Sequence, residues 1–92
     1  MTAVIAVQAA ARAEGWECEV HLGGSGSASR HTVRIRTTDL ERLGRQGEKP
    51  EQFITRVFEF LLAREPAGHI LRRFELADVS RYFPEFEREI RL

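Results

Sequence analysis

The chain has very little cysteine, lysine, methionine or tryptophan: Cys18, Lys49, Met1 and Trp16 are each the single example among 92 residues. One cysteine rules out an intrachain disulfide and suits a reducing compartment. Net charge is also lacking, since 14 basic and 14 acidic side chains cancel. No general field therefore draws the chain toward nucleic acid or anionic lipid. No stretch approaches the roughly 20 apolar residues of a membrane-spanning helix. The apolar run after Met1 is short and has no basic residue before it, so a secretory leader is not expected. Cofactor fingerprints and metal-ligand spacings are missing as well, and no cofactor or metal is expected.

What is present is unevenly placed. All six phenylalanines, and Tyr82, lie in the second half. The first half holds two runs of alternating polarity joined by a glycine-serine segment, residues 23–29. The basic residues are arginines apart from Lys49. Arginine forks suit phosphate and carboxylate, but these are scattered along the chain, and codon bias in a GC-rich bacterial genome accounts for them. The length fits one domain, residues 1–92, with a hairpin at 16–37 and a helical part at 38–92. A domain of this size folding alone has a stability of about 5–9 kcal/mol, and self-association would enlarge its small core.

Residues 2–13 fit two descriptions. The alanines at 9–11 and 13 favour helix, whereas Val4-Ile5-Ala6-Val7 reads as a strand. Residues 16–22 alternate, with Trp16, Cys18, Val20 and Leu22 on one face. Residues 31–37 alternate too, with Val33 and Ile35 opposite in polarity to Arg34 and Arg36. Pairing Val20 with Val33 and Cys18 with Ile35 sets Glu19 against Arg34 and Glu17 against Arg36, each opposite-charge pair adding roughly 0.2–1 kcal/mol. A one-residue slip would place apolar groups against charges. The glycine-serine tip is expected to be a mobile hairpin loop rather than an anion nest, because no Lys-Ser or Lys-Thr and no helix follow it.

Thr38-Asp39-Leu40-Glu41 has the form of a capping box opening a short helix that ends near Gly44. Pro50 suits the first turn of the next helix. Phe53, Ile54, Val57, Phe58, Leu61 and Leu62 line one face of it, and Phe60 widens that face. Such a helix needs cover from the sheet on one flank and from the C-terminal segment on the other, and Pro66 stops it. Ile70, Leu71 and Phe74 suggest a helical turn, residues 76–82 a further helix, and Pro84 the start of another in which Phe86 and Ile90 face the same way.

Candidate chemistry is sparse. His21 and His31 fall on opposite hairpin faces, so a tetrahedral metal site is not expected. Cys18 belongs to the apolar face, where a thiol is an inert core residue. Ser25, Ser27, Ser29 and Ser80 have no evident base beside them, and no catalytic residue is assigned. Arg72, Arg73, Tyr82, Phe83 and Phe86 are the candidates for contact with a partner, since aromatics beside charges typify interfaces. The cluster at 82–86 fits core equally well.

Thr32-Val33-Arg34-Ile35-Arg36, followed by helices at 39–43 and 50–64, resembles the ribbon-helix-helix DNA-binding regulators over about residues 31–65. The resemblance implies a dimer whose shared ribbon projects Arg34 and Arg36 into the major groove, where arginine suits guanine edges. With charge balanced, little would hold phosphates. The expected architecture is therefore α+β, an antiparallel hairpin, with a third strand if residues 2–7 join it, on a layer of three to four helices. The expected role is a small cytoplasmic, non-enzymatic binding or regulatory module that self-associates, with a ribbon-helix-helix-like regulator as the alternative. A protein partner or a second copy is expected, and nucleic acid, membrane and metal are not.

Overall fold

A computed structural model describes residues 4–24 and 28–92. Its elements run β1 (Val4–Arg12), β2 (Gly15–Gly23), β3 (Ser29–Arg36), α1 (Thr37–Leu43), α2 (Pro50–Leu62), a 3-10 turn (Ala67–His69), β4 (Arg73–Glu75), α3 (Leu76–Tyr82) and α4 (Phe86–Ile90). The strands form one sheet in the order β1-β2-β3-β4. The first three are antiparallel neighbours, and β4 runs parallel to β3. The fold is α+β, as the alternation and the helical patterns imply.

The ambiguous N-terminal segment is a strand. Ile5, Val7 and Ala9 are partly buried against the core, while Ala6, Gln8 and Ala10 face out. Helix propensity in the alanines is overridden because β2 offers a complete ladder of nine pairs, from Val4↔Gly23 to Arg12↔Gly15. Gly15 is where β3 comes closest: a Cβ there would lie 2.1 Å from the Ile35 carbonyl oxygen. Gly15→Ala should therefore cost roughly 1–3 kcal/mol, the range for overpacking against backbone. Urea denaturation checks this, and unchanged stability would show that β3 yields.

The β2–β3 register departs from the expected one. The strands do pair antiparallel within the chain, but Cys18 faces Val33, Trp16 faces Ile35 and Val20 faces His31. Glu17 lies opposite Arg34, Glu19 opposite Thr32, and Gly15 opposite Arg36. The slip is two residues, which keeps every side chain on its own face, so apolar patterning cannot detect it. The register adopted seats the His31 ring in the core and extends the pairing to Leu22↔Ser29. The expected mobile tip includes residues 25–27, which lie outside the described residues.

Three helices begin with the same device. The Arg36, Lys49 and Glu75 N–H groups donate to the side chains of Asp39 (2.9 Å), Gln52 (3.0 Å) and Asp78 (3.1 Å), each three residues on. The α1 cap is thus Arg36 with Asp39, not Thr38 with Glu41, because the helix starts at Thr37 as soon as β3 ends. Pro50 stands at the first position of α2.

A third correction concerns residues 70–75. The stretch expected to be a helical turn is β4, and the Thr32 N–H reaches the Arg72 carbonyl at 2.7 Å. A three-residue strand with only Phe74 turned inward has no readable period.

The core is the inner sheet face against α2. Phe58 lies 5.5 Å from the His31 ring and 6.1 Å from Phe74, facing the sheet. Phe60 lies 5.7 Å from Phe83 and 5.1 Å from Phe86. The wide face of α2 is thus covered by the sheet on one flank and the C-terminal segment on the other. Ion pairs tie α4 down: Arg64 reaches Glu85 (3.1 Å) and Glu89 (2.8 Å), and Arg42 reaches Glu87 (2.7 Å).

Candidate protein-binding groove

Among the described residues, two of the four large apolar side chains that stay exposed, Leu71 at 53% and Tyr82 at 68%, line one cleft. The buried Leu61, Ile70, Phe74 and Val79 line it from below, together with the half-buried Phe83. The chain builds this feature from the Pro66 break. The stop after α2 sends the backbone through the 3-10 turn into β4, and α3 then returns alongside with Val79 inward and Tyr82 outward. Glu65, His69 and Asp78 supply the polar rim. The Asp78 carboxylate also caps α3 and lies 3.7 Å from Arg81.

The cleft has a volume of about 180 Å³, smaller than the roughly 300–1,000 Å³ typical of small-molecule sites. It has room for one bulky apolar side chain, with acid groups at its mouth.

The residues read from sequence as contact candidates separate. Tyr82 and Phe83 line the groove. Phe86 is fully buried against Phe60 and belongs to the core. Arg72 and Arg73 are exposed, with Arg73 in the row that faces away from the helices. Leu71, Ile70 and Val79 were not among the candidates, because only the return of α3 beside the 3-10 turn brings them to Tyr82.

Arg34 and Arg36 are exposed on the open sheet face. There they border a second cleft of about 310 Å³ with Arg12, Trp16, Glu17 and Glu75. Glu17 lies 3.7 Å from Arg34 and 3.9 Å from Arg12, and Glu75 stands beside Arg34 in the ladder. The arginines are thus interleaved with carboxylates.

His31 is buried, with Nδ1 2.8 Å from the Leu71 carbonyl oxygen and Nε2 2.9 Å from Ser29 Oγ. Since a carbonyl only accepts, Nδ1 carries hydrogen and the Ser29 hydroxyl can donate to Nε2. The expectation that the serines have no base beside them is corrected for Ser80, whose hydroxyl donates to the Glu87 carboxylate at 3.1 Å, and for Ser29. The i, i+2 spacing on one strand face was the signal. Neither cleft includes Ser29, and His31 is packed on Phe58, so the pair anchors β3 to the groove wall at Leu71. Burial pushes the Cys18 thiol up to about 11, which leaves it protonated and unreactive at neutral pH. Among the described residues, no three His, Cys, Asp or Glu side chains converge as a metal would need, and no helix is long and apolar enough to cross a membrane.

Comparison with protein-family models, with curated proteins and with solved structures found no match.

Proposed function

We propose that this protein is a small, non-catalytic, cytoplasmic interaction module that grips a protein segment in the groove between the 3-10 turn and α3. The observation that carries the reading is that Leu71 and Tyr82, two exposed apolar side chains, line one mostly apolar cleft. Bulky anchors in small desolvated pockets dominate protein recognition. The rim acids Glu65 and Asp78 select an occupant whose apolar anchor is flanked by lysine or arginine.

The test is peptide selection from a displayed library, followed by affinity measurement on variants. Selected peptides should share an apolar residue next to a basic one. Leu71→Ser and Tyr82→Ser should each weaken binding at least tenfold, about 1.4 kcal/mol, with little change in melting temperature because both side chains are exposed. Unchanged affinity in both variants would remove the groove from the function.

The ribbon-helix-helix-like reading is the alternative, with Arg34 and Arg36 as DNA contacts. Less supports it. The β3 strand is paired on both sides within the chain, and Glu17 and Glu75 flank Arg34. The same protein should bind mixed-sequence duplex no tighter than roughly 10 μM at physiological salt. Nanomolar binding lost in Arg34→Ala/Arg36→Ala would install the alternative.

A further inference from the structure

The two borders of the sheet differ. At one, β4 is three residues long and leads straight into α3. At the other, β1 is nine residues long, and among the described residues nothing pairs with its outer edge. A bare edge presents a row of unpaired N–H and C=O groups, and proteins ordinarily blunt it with lysine, proline or a bulge. None of these interrupts β1. It carries no charged side chain before Arg12, and its ladder to β2 is continuous through nine pairs.

We propose that β1 pairs antiparallel with β1 of a second copy, joining two four-stranded sheets across a twofold axis that passes by Gln8. The proposal gives the self-association expected of so small a core a definite surface, separate from the groove. Pleat geometry restricts the register. In an antiparallel pair of identical strands, two facing residues point their backbone groups either both toward the partner or both away, so their numbers differ by an even amount. The register that keeps all nine residues paired sets Gln8 opposite Gln8 of the second copy, Ala6 opposite its Ala10, and Val4 opposite its Arg12.

Each pairing is acceptable. The alanines and Gln8 are uncharged, and the lone charged residue meets the aliphatic surface of Val4 rather than its own copy. On the inner face Val7 meets Ala9, which extends the apolar row that α2 covers only in part. The mismatch between the long β1 edge and the short β4 edge favours a closed isologous dimer over an open chain of copies.

Sedimentation equilibrium of the wild-type protein at tens of micromolar should give twice the chain mass. Ala6→Lys/Ala10→Lys places like charges opposite one another twice in the dimer, yet points both side chains to solvent in a single copy. It should be a folded monomer. Ala6→Glu/Ala10→Glu should behave likewise, and mixing the two variants should restore a dimer containing one of each. Gln8→Arg, with like charges meeting on the axis, should also give a monomer. A monomeric wild type, a lysine variant that remains dimeric, or a mixture that fails to associate overturns the proposal. Peptide affinity at the groove should be the same in monomer and dimer, so failure here is distinct from failure of the groove.

Discussion

Phe58→Ala should cost about 3–5 kcal/mol, the range for truncating a buried aromatic. Against a total near 5–9 kcal/mol, the variant would be barely folded at room temperature. The side chain is fully buried at the middle of α2 and touches both the His31 ring and Phe74. It thus joins α2 to β3 and β4 together. Calorimetry or urea denaturation measures the loss. A cooperative transition within a few degrees of wild type would mean that Phe58 does not hold the layers together.

The second large effect concerns the ion pair under the α1–α2 loop. Arg56 Nε and Nη2 each donate to the Glu48 carboxylate at 2.7 Å, with side chains only 16% and 7% exposed. The Arg56 guanidinium also reaches the Ile90 carbonyl, and the Arg45 N–H donates to Glu48 at 2.9 Å. One group therefore anchors the loop, α2 and the end of α4. Arg56→Met should cost about 3 kcal/mol, because it leaves a carboxylate buried without its counter-charge. Glu48→Gln/Arg56→Met removes both charges and should cost less than Arg56→Met alone. If the double variant were the weaker one, the energy would lie in shape rather than charge.

The same pair gives the stability its acid dependence. Hydrogen bonds from Arg56 hold the Glu48 carboxyl below its ordinary 4.5 in the folded chain. A depressed folded value stabilises the fold above the unfolded value, and that contribution is lost as pH falls through the folded one. Stability should therefore decline as pH drops below about 4.5, and the contributions of Glu87, held down by its hydrogen bond from Arg42, and of Glu85, held down first by a backbone hydrogen bond and then by Arg64, are lost in the same direction. Denaturation midpoints measured from pH 6 down to 3 should fall less steeply in the charge-free double variant.

Long-range pattern was the legible part of the fold. Two alternating runs, an aromatic face on α2 and the proline at its first turn specify the strands, the main helix and the layer between them, whereas the capping pair of α1 lies two residues earlier than its sequence pattern places it. Register was illegible because a two-residue slip costs nothing in polarity, and the seat of His31 depends on the Leu71 carbonyl, forty residues away in the chain. β4 was illegible because three residues carry no period. The groove was half legible. Tyr82 and Phe83 stood out as aromatics beside charges, but Leu71 acquires meaning only once α3 packs back against the 3-10 turn. Phe86, in the same aromatic run, points the other way into the core, a difference set by the turn at Pro84.

The binding surface proposed above is the apolar cleft beside α3. Backbone amide spectra recorded during titration with a selected apolar-basic peptide test it most directly. Shifts should concentrate at Ile70, Leu71, Val79, Tyr82 and Phe83, leaving Arg34 and Arg36 unmoved. Shifts centred on Arg34 and Arg36 would contradict it, most sharply if duplex DNA produced the same pattern.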